Sequence, residues 1–479
     1  MIPSRRSRLL ALAAAGALIL AACGDDDDTT SDTDAPAATD APAETDAPAA
    51  TDAPDTTEAT ETTAAETEET DAPAAETWTV NTDDCVDPDA ANAPIEGTIK
   101  VGSVMPLSGG PAASAFAPVA AGFQAYVDYA NENKLLGDVA IELSIADDQY
   151  SPTLTPGAVE GLLDAGVQMF TGIIGTPNNL AVRDVLNEEC VPQILNLTGA
   201  PQWGEIEDYP WTTGALVPYD DEVQGYLKQL SGDFPDGGTI ALFTVNTDFG
   251  QVYVDSFNEY GPDAGWELVD EQTIEATETA PPTAQVNSIA TKAPDVILAA
   301  PSGAQCATFL AEIANAKAAN PGWAPRVYMT STCASPLILA VSGAAADGMF
   351  TAASGGIADT GNPEVIAGNP DIQAYADYMI AAGKADIVTT ASAGWTIGEV
   401  MVAILMQAAE SPDGLTQASI INAARNLDYE PSLVRDGIVY KTSGEEDPYT
   451  VEAVQVVQFD ATNKIFNDIG DLVLDFESS

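Results

Sequence analysis

The 479 residues carry 74 acids against 15 Lys and Arg, with no histidine, for a formal charge of −59. That balance excludes nucleic acid as a partner, because like charge repels the phosphate backbone. The missing histidine excludes every Ser-His and Cys-His catalytic pair. The length leaves room for two or three domains around a sizeable core.

Residues 1–23 read as a targeting segment. Arg5, Arg6 and Arg8 form a basic start, and the apolar run 9–20 is too short to span a bilayer comfortably. Leu20-Ala21-Ala22-Cys23 resembles a lipobox, the signal at which a bacterial lipoprotein is cleaved and its new N-terminal cysteine acylated. Residues 24–77 repeat TDAPA-like units around Asp34, Asp40, Asp46 and Asp52, with no aromatic residue and no Lys or Arg. Such a tract cannot bury enough apolar surface to offset ordering and is expected to be disordered. It would span roughly 40 Å as a flexible coil, more with proline and like charge. The expectation is a lipid anchor at Cys23, a tether, and a body on the extracytoplasmic face of the cell membrane. The tether takes 18 of the acids, so the body from Trp78 keeps 56 acids against 12 Lys and Arg. Such a surface suits a salty medium.

The body opens with GTIKVGSVMPLSGG. Ile99, Val101 and Val104 have strand character, the loop 106–111 is rich in Ser, Gly and Pro, and Val119, Phe123 and Val127 recur at helical spacing. Strand character follows at 140–145, a helix at 155–165, a strand at 168–174, a helix at 180–186 and a strand at 193–197. A second series starts near 217–220, with a helix at 223–230, a strand at 239–245 and a helix at 252–260. It continues with a strand at 295–300, a helix at 305–316 and a strand at 326–330. Beyond 348 come a strand at 349–352 and helices at 372–382 and 396–408. In the last helix Ile397, Val400, Met401, Ile404 and Leu405 form a core stripe. The end, 438–476, reads as hairpin strands with Gly444 and Pro448 in the turn. Alternating βα units predict an α/β fold of two lobes, each presenting loops at the carboxyl ends of parallel strands.

Several segments in this order, VGSVMPLSGG, GIIGTPNN, VPQILNLTGAP, TDFGQVYVDSF, PDVILAAPSGAQCATFL and ASAGWTIGEVMVAIL, resemble the leucine/isoleucine/valine-binding family of type I solute-binding proteins. These are the extracytoplasmic receptors of ABC importers. The resemblance implies two Rossmann-like lobes joined by a three-segment hinge, the periplasmic binding protein-like I fold. It puts the crossings near 217–220, 347–348 and 448–451. Lobe 1 would then be 97–217 plus 348–448, and lobe 2 would be 218–347 plus 449–479. Carried over by position, ligand contacts fall on Phe116, on Asn178 or Asn179, on Leu197, Thr198 and Gly199, and on Phe249. The family's ammonium-binding acid falls on Gln305. Gln305 brings no charge, so either another acid such as Asp248 serves, or the ligand is no ordinary amino acid, because an unpaired buried charge is costly. Thr198 and Gly199 equally suit a turn, Phe249 suits packing, and Gln305 suits a helix start; Trp203 and Trp395 read as core or cleft wall.

Four cysteines remain beyond Cys23: Cys85, Cys190, Cys306 and Cys333. They lack CxxC spacing, so two disulfides rather than a metal site are expected outside the cytoplasm. On the two-lobe layout Cys85 pairs with Cys190 as the N-terminal extension folds back, and Cys306 pairs with Cys333 on adjacent loops. The function expected is a monomeric, lipid-anchored receptor that delivers a small amino acid, amide or carboxylate to an ABC permease. No cofactor enters this reading. The alternatives are a sensor or surface lipoprotein and a hydrolase on the same fold. For the hydrolase there is no P-loop, GxGxxG or GxSxG motif, and Gly383-Lys384 lacks the preceding glycine pattern.

Overall fold

Among the described residues, fourteen strands form two sheets and a small ribbon. The computed structural model describes residues 77–476 apart from 111 and 475, all within one compact unit. The targeting segment, Cys23 and the tether up to residue 76 lie outside the described residues.

The first sheet comprises β1 (Thr98–Met105), β2 (Ala140–Asp147), β3 (Met169–Thr171), β4 (Gln193–Asn196) and β5 (Thr212–Gly214). Its order is β2-β1-β3-β4-β5, and every pair is parallel. Alternation along β1 sends Ile99, Val101 and Met105 into the main core. Val104 points the other way and joins Phe170, Val182 and Leu186 in a smaller cluster. Both faces are covered by helices, as a parallel sheet requires.

The second sheet begins with β6 (Gly238–Val245), β7 (Trp266–Ile274), β8 (Val296–Ala300), β9 (Arg326–Met329) and β10 (Phe350–Ala352). After the ribbon β11 (Asp428–Tyr429) and β12 (Tyr440–Lys441), the chain returns with β13 (Val456–Asp460) and β14 (Ile465–Asp468). The order is β14-β13-β10-β9-β8-β6-β7, parallel from β7 to β10, with the last two strands antiparallel. Each sheet therefore reverses strand order once, between β1 and β3 and between β6 and β8. Those reversals are where open α/β sheets hold ligands.

Two sequence expectations change. The crossing does not lie at 347–348: β10 pairs with β9 and β13, so the second lobe extends through residue 352. Phe350 stacks on Tyr328 of β9 with ring centroids 4.8 Å apart, which keeps that strand in the second sheet. Nor is 438–476 one hairpin. β12 pairs back to β11, and the true hairpin is β13–β14, whose turn is capped by Asp460 accepting from Thr462 and Asn463 N–H. The strand β7 was not read from sequence, because it lies at a sheet edge and carries exposed Glu267 and Glu271.

Three strands of chain link the lobes, at 214–219, 353–357 and 450–454. They are stitched together: the Thr450 hydroxyl donates to Gly214 O at 2.7 Å, and Ala353 N–H donates to Gln455 O at 2.9 Å. The Tyr440 hydroxyl donates to Gly355 O at 2.6 Å.

Returning segments complete the first lobe. The helix Val388–Ala409 packs on Ala113–Glu132, and a Cβ at Gly394 would fall 1.8 Å from Val119 O, so only glycine permits that approach. Val388–Ala409 lies within a helical stretch long and apolar enough to cross a membrane, but most of that stretch is buried inside the protein. The helix Gln417–Ala424 ends at Arg425, whose fully buried guanidinium donates to the carbonyls of Tyr209, Pro210, Thr212 and Pro448.

Cys85 is bonded to Cys190 and Cys306 to Cys333, at sequence separations of 105 and 27. The lead-in to the body is clamped by two asparagines one turn apart. Asn426 accepts from Trp78 N–H and donates to Trp78 O, and Asn422 accepts from Val80 N–H at 2.7 Å.

Candidate functional site

A cavity of about 140 Å³ opens between the lobes. The first lobe supplies Phe116 and Val119 from Ala113–Glu132, Leu197 beyond β4, and Thr389, Thr390 and Ser392 from the start of Val388–Ala409. The second lobe supplies Ser331, Thr332, Ser335 and Ile338 beyond β9, with Val457 and Phe466 from the hairpin. Leu216 of the first crossing and residues 357–360 at the end of the second close one side, with Arg435 beside them. The wall is thus apolar with a set of hydroxyls, the pattern of a small-molecule pocket. Two of those hydroxyls, Thr360 Oγ1 and Ser335 Oγ, are buried without a hydrogen-bond partner in the protein. An unsatisfied buried hydroxyl is costly, so both are suited to a ligand's polar atoms. The charged groups are already engaged. Asp359 accepts from the N–H groups of Gly361 and Phe466, and Arg435 pairs with Asp468 and donates to Ile357 O.

Farther along the cleft, the strand ends are filled by the protein's own aromatic rings. Tyr219 sits at the start of helix Tyr219–Asp233, with Phe249 and Tyr253 at 5.1 Å centroid distances. Its backbone N–H donates to Gly199 O at 2.7 Å. Gly199 is needed there, since a Cβ would fall 2.1 Å from Val217 O.

Of the residues singled out from sequence, Phe116 and Leu197 line the cavity. Gly199 O holds the Tyr219 N–H, while the Thr198 hydroxyl lies 2.6 Å from that of Thr176 and Thr198 O accepts from the Trp203 indole N–H. Asn178 donates to Asp148 and Thr155, and Asn179 donates to the carbonyls of Ile173 and Gly175 while accepting from Gln193. Both asparagines are fully buried within the first lobe. Phe249 is core. Gln305 is buried and ties the loop carbonyls of Glu275 and Glu278. The structure therefore spreads these residues around the cleft instead of gathering them on one pocket. Ser331, Thr332, Ser335, Thr360, Thr389, Thr390 and Ser392 were missed. The run Thr330-Ser331-Thr332 directly beyond β9 was the available signal, because strand carboxyl ends face the cleft.

Behind Ser331 lies a buried acid. Glu222 Oε1 accepts from Ser331 N–H at 3.0 Å, from the Tyr253 hydroxyl at 2.8 Å and from the Tyr226 hydroxyl at 2.9 Å. Its Oε2 is buried without a partner. Burial raises its pKa above the usual 4.5, opposed by the bonds from Ser331, Tyr253 and Tyr226. An acid whose folded pKa is raised stabilises the fold fully below its unfolded pKa. That contribution is lost as pH climbs from about 4.5 through the folded value. Glu222→Gln should therefore make the melting temperature relative to the wild type rise as pH increases from 4.5 to 7.5. Parallel melting curves for the two proteins over that range would contradict this account.

A family model described as "Periplasmic binding protein" matches residues 98–464. No curated protein sequence matches the chain. Among solved structures it is similar to a branched chain amino acid ABC transporter from Thermus thermophilus with bound valine. That pair is 18% identical, with a TM-score of 0.69, covering 79% of this chain and 97% of the other. It is also similar to a fatty acid ABC transporter substrate-binding protein from Thermomonospora curvata, at 19% identity and a TM-score of 0.66, covering 80% and 93%. A solute binding protein of an ABC transporter from Rhodopseudomonas palustris HaA2, in complex with p-hydroxybenzoic acid, is 16% identical. Its TM-score is 0.65, with 79% and 97% covered. At these identities the likeness is one of fold.

Proposed function

Because this chain belongs to the periplasmic binding protein family, we propose that it is an extracytoplasmic receptor that captures a small solute between its lobes and passes it to an ABC permease. The observation that carries this reading is the cavity walled by both lobes beside the crossings that join them. A ligand touching both walls favours the closed arrangement, which is how two hinged lobes turn binding into a change of shape. The solute is a small amino acid, amide or carboxylate: Phe116 and Val119 cover its apolar part, and the hydroxyls of Ser335 and Thr360 meet its polar end. The structural neighbours with bound valine and p-hydroxybenzoic acid support solutes of that size and polarity. The role is binding and not catalysis. Cys23 carries the lipid anchor, residues 24–77 are the tether, and the receptor acts as a monomer.

Melting curves with L-valine, acetamide and p-hydroxybenzoate test the reading. A ligand at a hundred times its Kd adds about 2.7 kcal/mol, a rise of several degrees. Phe116→Ala should reduce that rise by removing one wall of the pocket. No stabilisation by any of the three, or stabilisation indifferent to Phe116→Ala, would overturn it.

A further inference from the structure

Two charged side chains line the cavity, and they are not equivalent. Arg435 is neutralised, because its guanidinium pairs with Asp468 at 2.9 Å. Asp359 is not. Its two bonds come from neutral backbone, with Gly361 N–H on Oδ1 at 3.0 Å and Phe466 N–H on Oδ2 at 2.8 Å. No Lys or Arg among the described residues forms a salt bridge with it. Asp359 is only 8% exposed, and a buried carboxylate without a cation is costly. Each of its oxygens offers two lone pairs, so one on each remains for a further donor.

The surroundings suit a cation rich in N–H groups. Thr360, next in the chain, is 2% exposed, and its hydroxyl has no partner in the protein. Thr389 approaches from the first lobe. An added Cβ at Gly361 would fall 3.3 Å from Asp359 Oδ1 and 2.8 Å from Thr389 Oγ1, so both oxygens flank the same bare backbone. Asp359, Thr360 and Thr389 all line the cavity. An ammonium group brings three donors and no acceptor, which matches one carboxylate and two hydroxyls. The body from Trp78 carries 56 acids against 12 Lys and Arg, a field that draws cations toward the cleft.

We propose that Asp359 is the counter-charge for the solute, which carries an ammonium end. This rests on the receptor reading above and narrows it: an amino acid fits, whereas an amide or a simple carboxylate does not. A carboxylate lacking an amine sets a second negative charge beside Asp359, and a neutral amide leaves Asp359 without its cation. The apolar remainder of the solute meets Phe116 and Val119.

Isothermal titration of the full chain tests this with L-valine, with isobutylamine, which lacks the carboxylate, and with 3-methylbutanoate, which lacks the amine. Valine and isobutylamine should bind, and 3-methylbutanoate should bind about tenfold more weakly or worse, since like charges brought together are strongly disfavoured. Asp359→Asn should weaken both amines by about 30-fold or more, the scale for removing one partner of a buried charge pair. Their lead over 3-methylbutanoate should narrow accordingly. A structural role alone would weaken all three alike, so equal losses would overturn the assignment. A wild type that binds 3-methylbutanoate as tightly as valine would overturn it too, while leaving the receptor reading intact. That comparison stands even where the asparagine variant fails to fold. Binding of none of the three would overturn the receptor reading, and the assignment with it.

Discussion

Replacing both cysteines of the Cys85–Cys190 pair with alanine will lower the unfolding free energy by about 4–5 kcal/mol. The bond closes a loop with a sequence separation of 105, and in the chain-entropy account a loop near 100 residues contributes about 4.7 kcal/mol. The Cys306–Cys333 bond, at a separation of 27, should contribute about 3.5 kcal/mol by the same relation. Guanidinium unfolding of the two double-alanine proteins, under non-reducing conditions, should place the Cys85–Cys190 variant at the lower midpoint. The reverse order would show that native packing around the bonds, and not loop length, governs their worth.

Arg425→Met should be nearly as damaging, at about 3–5 kcal/mol, the range for uncovering a buried polar constellation. The competing effects can be weighed. Burial pushes the Arg425 pKa down to about 9, with the Arg183 charge adding to the depression. No carboxylate among the described residues forms a salt bridge with it. A base with a depressed pKa opposes folding where it is charged, so removing it recovers some free energy at neutral pH. Against that stand the carbonyls of Pro210, Thr212 and Pro448, which lose this donor, while Tyr209 O keeps the N–H of Thr212. An unsatisfied buried carbonyl costs about 1–3 kcal/mol, and three of them outweigh the recovered desolvation. Arg425→Lys should also destabilise, since one ammonium cannot reproduce the planar fork. A methionine variant as stable as the wild type would mean that water reaches those carbonyls.

The βα rhythm was legible because its strands are short apolar runs bounded by glycine, proline and hydroxyl residues, as at 97–106 and 193–201. Periodicity located the elements but could not assign β10 to a sheet, because three residues carry no register. The site was less legible. Asn178, Thr198 and Gln305 stand in loops at strand ends, where polar residues either meet a ligand or hold the loop. Spacing cannot separate those roles. Their burial and partners separate them: Asn178 answers to Asp148, Thr198 to Thr176 and Gln305 to two carbonyls of a neighbouring loop. The hydroxyls of Thr389, Thr390 and Ser392 lie at the head of a helix more than 180 residues from Leu197, yet they line the same cavity. No local pattern joins segments that distant.

The asparagine clamp on Trp78 and Val80 and the Cys85–Cys190 bond have a mechanical meaning. All of their attachment points, Asn422, Asn426 and Cys190, belong to the first lobe. Tension arriving through the N-terminal lead is therefore borne by one rigid half, and its path ends before the crossings. The second lobe carries none of that pull and can swing under thermal motion alone. Under drag or stretching, the opening equilibrium should stay constant until the clamp itself gives way.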